Sequence, residues 1–231
     1  MAQKNTKSAV AEAKAKETNM EETLNRWEQF FEKYKTVVIA AVVAVIVIVA
    51  GVTLYKTKVV EPKNVKVAEY MFPGEEYFIN QQFEKALNGD EAGFAGFKEI
   101  ADNYGGTKSG KLAAAYAGIC MGQLGNYEEA ITYLSKFKAK DLMVAPAVLY
   151  TMAECYANLD KASQAAATYE KAAKLADNDL QTPAYLLQAV LMYESIGENA
   201  KALNICNQIK SNYPASQEAA QIESYILRLS K

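Results

Sequence analysis

Histidine is absent from all 231 residues. With it go the commonest general base, the commonest metal ligand and every Ser-His-Asp or Cys-His nucleophile. Cysteine is sparse: Cys120, Cys155 and Cys206 stand far apart, without a CxxC pair and among apolar neighbours, so they read as small buried hydrophobes and not as a disulfide or metal scaffold. Proline and glycine number only 5 and 12, and the wealth of Ala, Leu, Tyr, Glu and Lys favours helix throughout. A basic excess is lacking too. Residues 74–231 carry fourteen Lys/Arg against nineteen Asp/Glu, the wrong sign for a nucleic-acid footprint. The acidic pairs Glu75-Glu76 and Glu128-Glu129 suit helix N-termini and fall in different parts of the chain, not together as catalytic carboxylates. The expectation is a non-enzyme without metal, cofactor or nucleic acid.

Long hydrophobic runs are missing with one exception. Val37–Val52 reads VVIAAVVAVIVIVAGV, lengthened by Thr53 and Leu54 and flanked by Tyr34-Lys35 and Tyr55-Lys56. Eighteen helical residues rise about 27 Å, close to the ~30 Å of a bilayer core. Residues 36–55 are therefore expected to be a transmembrane helix. A 35-residue polar tail comes first and no small-residue cleavage site follows, so the segment reads as a retained anchor and not as a signal peptide. Residues 1–19 lack an apolar period and are expected to be a disordered tail. Residues 20–35 are expected to form an amphipathic juxtamembrane helix, with Trp27, Phe30, Phe31 and Tyr34 on one face; these rings and Tyr55 are the candidate membrane-interface residues. A partner helix is the alternative use of that face. Ala40 and Ala44 form a small-xxx-small pair that suits self-association of spans.

Residues 56–73 read as a linker broken by Pro62 and Pro73, and residues 74–231 as one all-α domain of about four helix pairs. Second helices align as Gly93-x-x-x-Phe97-x-x-Ile100, Ala130-x-x-x-Leu134-x-x-Phe137, Ala165-x-x-x-Tyr169-x-x-Ala172 and Ala202-x-x-x-Cys206-x-x-Ile209, at offsets of 37, 35 and 37 residues. First helices agree through Gly118, Ala153 and Val190, followed three residues later by Met121, Tyr156 and Tyr193. Turns are expected at Asn88-Gly89, Leu124–Tyr127, Leu159–Lys161 and Ile196–Asn199. The segment Gly105-Gly106-Thr107-Lys108-Ser109-Gly110 has the residue types of a phosphate loop without its GxxxxGK[ST] spacing or preceding strand, and reads as a turn.

These features resemble the tetratricopeptide repeat: Gly118, Gly125-Asn126-Tyr127, Ala130 and Leu134 in the second unit, Ala165, Tyr169 and Ala172 in the third, Tyr193, Gly197, Ala202 and Pro214 in the fourth. The first unit matches poorly, and the family's early tryptophan is missing throughout. The resemblance implies a superhelix closed by a C-terminal capping helix, with Ala219, Ile222, Ile226 and Leu229 inward, and a groove lined by first helices that binds proteins or peptides. Projection of those helices gives Ala115, Ile119, Tyr150, Glu154, Asn158, Leu187 and Leu191 as candidate groove residues. Paired Lys and Arg for clamping a terminal carboxylate are missing from that set.

The order of parts resembles the YfgM-like bacterial inner-membrane proteins, in their Bacteroidetes-type version. The residues that carry this are Leu24-Asn25-Arg26, Met71-Phe72, Ala86–Asp90, Gly93-Phe94, Tyr104–Lys108, Ala130-Ile131-x-Tyr133-Leu134, Ala176–Asp179 and Glu223-x-Tyr225-Ile226. The resemblance implies a single-pass inner-membrane protein, N terminus cytoplasmic and domain periplasmic, ancillary to the Sec translocon. The implied partners are translocon subunits, periplasmic chaperones and exported chains. An architectural or assembly scaffold for an envelope complex is the alternative. Charge alone leaves orientation balanced, with Arg26, Lys33 and Lys35 before the span and Lys56, Lys58, Lys63 and Lys66 after it. Protease added to intact spheroplasts is expected to digest the C-terminal domain; a protected domain would reverse the orientation.

Overall fold

The computed structural model describes residue 27, residues 32–138 and residues 142–231. The expected tail, Phe30, Phe31 and most of the expected juxtamembrane helix lie outside the described residues. The chain divides into two units, Met1–Val60 and Glu61–Lys231.

In the first unit, helix α1 covers residues 32–55 and a π-helical turn follows at Lys56–Val60. The most apolar 18-residue window among the described residues has a mean hydropathy of 3.2, none of it is buried, and the helix that carries it is long and apolar enough to cross a membrane. A core helix of that composition would be covered. Trp27 and Tyr55 are exposed, and Tyr34 is about two-fifths exposed at 40%.

The second unit begins earlier than the residue pattern suggests. Helix α2, Glu61–Ile79, occupies the segment expected to be a linker, and neither proline breaks it. Pro62 follows directly on the π-helical turn Lys56–Val60 and is itself exposed. Pro73 deprives the Glu69 carbonyl of its donor, but both residues are exposed, so that carbonyl is open to solvent. On the opposite face Val67, Met71 and Gly74 are buried. The Asn64 carboxamide oxygen accepts from the backbone N–H of Lys108 at 2.8 Å and of Ser109 at 3.4 Å, while the Ser109 hydroxyl donates to the Asn64 carbonyl at 2.9 Å. This long-range cap opens helix α5, Lys108–Gln123.

Three hairpins follow, each two helices joined by a tight turn. Helices α5 and α6 (Tyr127–Leu134), α7 (Val144–Asn158) and α8 (Ala162–Ala176), and α9 (Gln181–Ser195) and α10 (Asn199–Asn212) form them. The same turn recurs. Gly125, Asp160 and Gly197 stand at φ of +84°, +57° and +75°. The next N–H reaches five residues back: Asn126 to Met121 at 2.8 Å, Lys161 to Tyr156 at 2.9 Å, Glu198 to Tyr193 at 2.9 Å. That is the Schellman closure of one helix, after which the next starts at once.

An identical closure occurs once more, at Gln81 (φ +57°), where Gln82 N–H donates to Tyr77 at 2.8 Å. It corrects the reading of the first unit. Helix α2 is the first member of a fourth hairpin, and its partner is split into α3 (Phe83–Asn88) and α4 (Phe97–Tyr104). Gly89, Gly93 and Gly96, all with positive φ, lie in the connection between them. Ala86, not Gly93, is therefore the counterpart of Ala130, Ala165 and Ala202; all four alanines are fully buried. Ala86 precedes Ala130 by 44 residues, and the inserted loop hides it from a 35- to 37-residue period.

Small residues on first helices receive large ones from second helices. A Cβ on Gly118 would lie 2.6 Å from Leu134 Cγ, and one on Gly74 would lie 2.8 Å from Phe97 Cζ. Each helix from α4 to α11 packs on its neighbours in order, and α2 and α3 pack on α5. Helix α6 stops at Leu134, short of the expected Phe137, which packs half-buried against the first core cluster. Asp102 of α4 accepts from Tyr133 Oη at 2.7 Å and Lys136 Nζ at 2.9 Å, linking two units. Helix α11 (Ala219–Leu229) buries Ile222 and Leu229, with Ala219 and Ile226 partly buried beside them. Its Arg228 grips Glu194 of α9 through two bonds of 2.5 and 2.6 Å.

Two substitutions test this framework by urea unfolding of the detergent-solubilised chain. Gly118→Ala is expected to destabilise by a net ~1–2 kcal/mol, because the collision with Leu134 outweighs the gain in helix propensity. Asn64→Ala is expected to cost about 1 kcal/mol through loss of the α5 cap.

Candidate partner-binding cleft

The repeat offsets carry each position of α5 onto α7 and α9, so residues 116, 151 and 188 form one column, 119, 154 and 191 a second, and 123, 158 and 195 a third. Side chains from all three first helices meet at a cleft of about 400 Å³. Helix α5 supplies Gly122 and Gln123, α7 supplies Thr151, Glu154 and Asn158, and α9 supplies Gln188 and Met192. Tyr127 and Tyr169 enter from the second helices, and Cys155 lies in the wall.

The sequence-derived groove residues do not all meet there. Glu154 and Asn158 line the cleft. Ala115 and Leu187 are buried in the core, in the column one residue before Tyr116, Thr151 and Gln188. Tyr150, at the same position of α7, is partly buried and packs its ring 5.4 Å from Tyr169 and 4.9 Å from Tyr185. Ile119 and Leu191 are partly buried and outside the cleft lining, Ile119 against the first core cluster. On α9 the cleft-lining residues Gln188 and Met192 each lie one position beyond Leu187 and Leu191, and Gln188 is the one amide in the otherwise apolar stretch Tyr185–Met192.

Glu154 sets the electrostatics. Desolvation raises its carboxyl above the ordinary glutamate range, and a hydrogen bond from Tyr150 pulls the other way. Burial, then the Glu154 charge, raises the Tyr169 hydroxyl. The Asn158 amide donates to the Glu154 backbone carbonyl at 2.9 Å, and the Thr151 hydroxyl donates to Ala147 at 3.1 Å. The side-chain amides of Gln123 and Gln188 have no hydrogen bond among the described residues. The cleft thus presents free amide donors and acceptors around one carboxylate, over an aromatic floor.

Two larger hollows are differently employed. One of about 560 Å³ between α2 and α4 holds Asp90, whose carboxylate is occupied by the Tyr77 hydroxyl at 2.5 Å and the N–H groups of Ala92 and Phe94. Another of about 750 Å³ lies between α8 and α10, where Glu170 accepts from the Tyr193 hydroxyl at 2.6 Å. Among the described residues no three His, Cys, Asp or Glu side chains cluster as metal ligands. The phosphate-loop residue types at Gly105–Gly110 open α5, where the N–H groups of Lys108, Ser109 and Gly110 are taken by Asn64 and the Thr107 hydroxyl. No anion site is left there.

All three cysteines are buried and free. Burial pushes the Cys120 thiol up to about 12 and those of Cys155 and Cys206 up to about 11. At pH 7.5 a disulfide reagent is expected to find no fast-reacting thiol in the native chain and three in denaturant; rapid labelling of Cys155 would show that the cleft wall opens.

The tetratricopeptide repeat family matches residues 116–141, 147–178 and 183–216. The chain therefore carries tetratricopeptide repeats, in the region of the three uninterrupted hairpins, and repeats of this kind generally bind proteins or peptides and are typically non-catalytic. Residues 61–104, with the split second helix, lie outside the matched segments. No curated protein and no solved structure matches the chain.

Proposed function

We propose that this chain is a membrane-anchored protein-binding scaffold which holds segments of other proteins in the cleft between α5, α7 and α9. The observation that carries the reading is that cleft: polar groups from successive first helices converge there while the surrounding positions are consumed by the core. Helix α1 supplies the anchor, since its apolar run is uncovered and long enough for a bilayer. The resemblance to YfgM-like proteins extends the proposal to an inner-membrane factor with a periplasmic domain, working beside the Sec translocon and periplasmic chaperones on exported chains.

One observation favours the alternative of a fixed assembly scaffold. Val65, Phe72 and Ile79 are spaced seven apart on α2 and all are exposed, Ile79 by 77%. A stripe of that period suits a permanent helical partner or a second copy.

A photo-crosslinking amino acid placed at Gln188 in living cells separates the two. Client capture predicts a ladder of adducts with many exported chains. A single stoichiometric adduct would support the fixed scaffold, and no adduct at Gln188 together with a strong one at Phe72 would remove the cleft from the account.

A further inference from the structure

The kind of segment that the cleft accepts is written in its charge, and this step rests on the reading of the cleft as a binding site. Glu154 is the only charged side chain among the described residues that line it; no lysine or arginine does. Three carboxylates that join helices elsewhere in the domain have cations, Asp102 with Lys136, Glu129 with Lys98 and Glu194 with Arg228, each within 2.9 Å, whereas Glu170 is held by the Tyr193 hydroxyl. Glu154 has only the Tyr150 hydroxyl, and burial strips away part of its hydration. A carboxylate in that position gains most from an incoming cation.

The walls fit the rest of such a side chain. Tyr127 and Tyr169 line the same cleft, and tyrosine faces attract cations. The chain already uses that attraction on its surface, with Lys136 Nζ 3.7 Å from the Tyr133 ring centre and Arg228 4.7 Å from that of Tyr225. Met192 offers a soft apolar surface for an aliphatic stem. Gln123 and Gln188, from α5 and α9, carry the amide chemistry that pairs with a peptide main chain. At about 400 Å³ the space falls within the usual range for a ligand site.

We propose that the cleft recognises a lysine or arginine side chain within an extended segment of a partner protein, its cation paired with Glu154 and its main chain held by Gln123 and Gln188. A chain presenting an acidic side chain or its terminal carboxylate at this point would meet Glu154 with like charge and no cation to receive it.

The test uses the full chain in lipid nanodiscs and fluorescence anisotropy. The probes are two fluorescein-labelled ten-residue Ala/Ser peptides, one with a central lysine and one with norleucine in its place. The lysine peptide is expected to bind about ten-fold tighter than its twin. Glu154→Gln should abolish that preference without lowering the melting temperature, and Glu223→Gln, a distant surface acid, should leave it intact. Equal binding of the two peptides to the native chain, or a preference that survives Glu154→Gln, would overturn the inference. Crosslinking at Gln188 would still report on client capture in that event, so the two failures read differently.

Discussion

Helices approach closely in this protein where one of them contributes almost nothing to the interface. Gly74 and Gly118 make room for Phe97 and Leu134, and Ala153 and Val190 take the equivalent places in later hairpins. The fully buried alanines Ala86, Ala130, Ala165 and Ala202 repeat the arrangement from the other side. A larger residue at any of these points would force two helices apart, and because each hairpin rests on the next, the displacement would pass along the stack. The cleft inherits this dependence. Gln123, Glu154 and Gln188 come from three separate helices, and only the fixed spacing of hairpins brings them to one place.

Much of this was legible in the residues because one physical unit repeats. The all-helical class, the turns at Gly125, Asp160 and Gly197, and the alanines of the last three units follow from small and large residues returning at a regular interval. The first unit was not legible, for two reasons. Its second helix is split by a loop containing Gly89, Gly93 and Gly96, which displaces Ala86 from the interval. Its first helix contains Pro62 and Pro73, residues whose usual meaning is interruption. Both lie on the exposed face of α2, Pro62 directly after the π-helical turn, which takes away that meaning, and this is not visible without knowing which face of α2 is buried. Of the residues that line the cleft, spacing projects Glu154 and Asn158 into a groove but not Gln188 or Met192, because a helix hydrophobic over most of its surface has no sharp polar edge by which to set its rotation, and α9 is such a helix.

Polar groups in the repeat domain are largely committed to architecture. Asn64 closes the start of α5, Asp102 ties α4 to α6, Glu170 holds Tyr193, and Arg228 fastens the last helix to α9. No buried side-chain nitrogen or oxygen lacks a partner among the described residues. Against that background the amides and carboxylate facing the cleft stand out through having little to do within the fold.

The cap by Asn64 bears on how the domain can be cut out. A fragment beginning at Gly74, where the repeat pattern starts by eye, would lose Asn64, Val67 and Met71 together, leaving the first turn of α5 without its acceptor and a strip of core open to water. The unit that is structurally whole starts at Glu61. Excision at the later point would yield a fragment with every recognisable repeat and an unfinished end, prone to stick to its own copies through the surface that α2 normally covers.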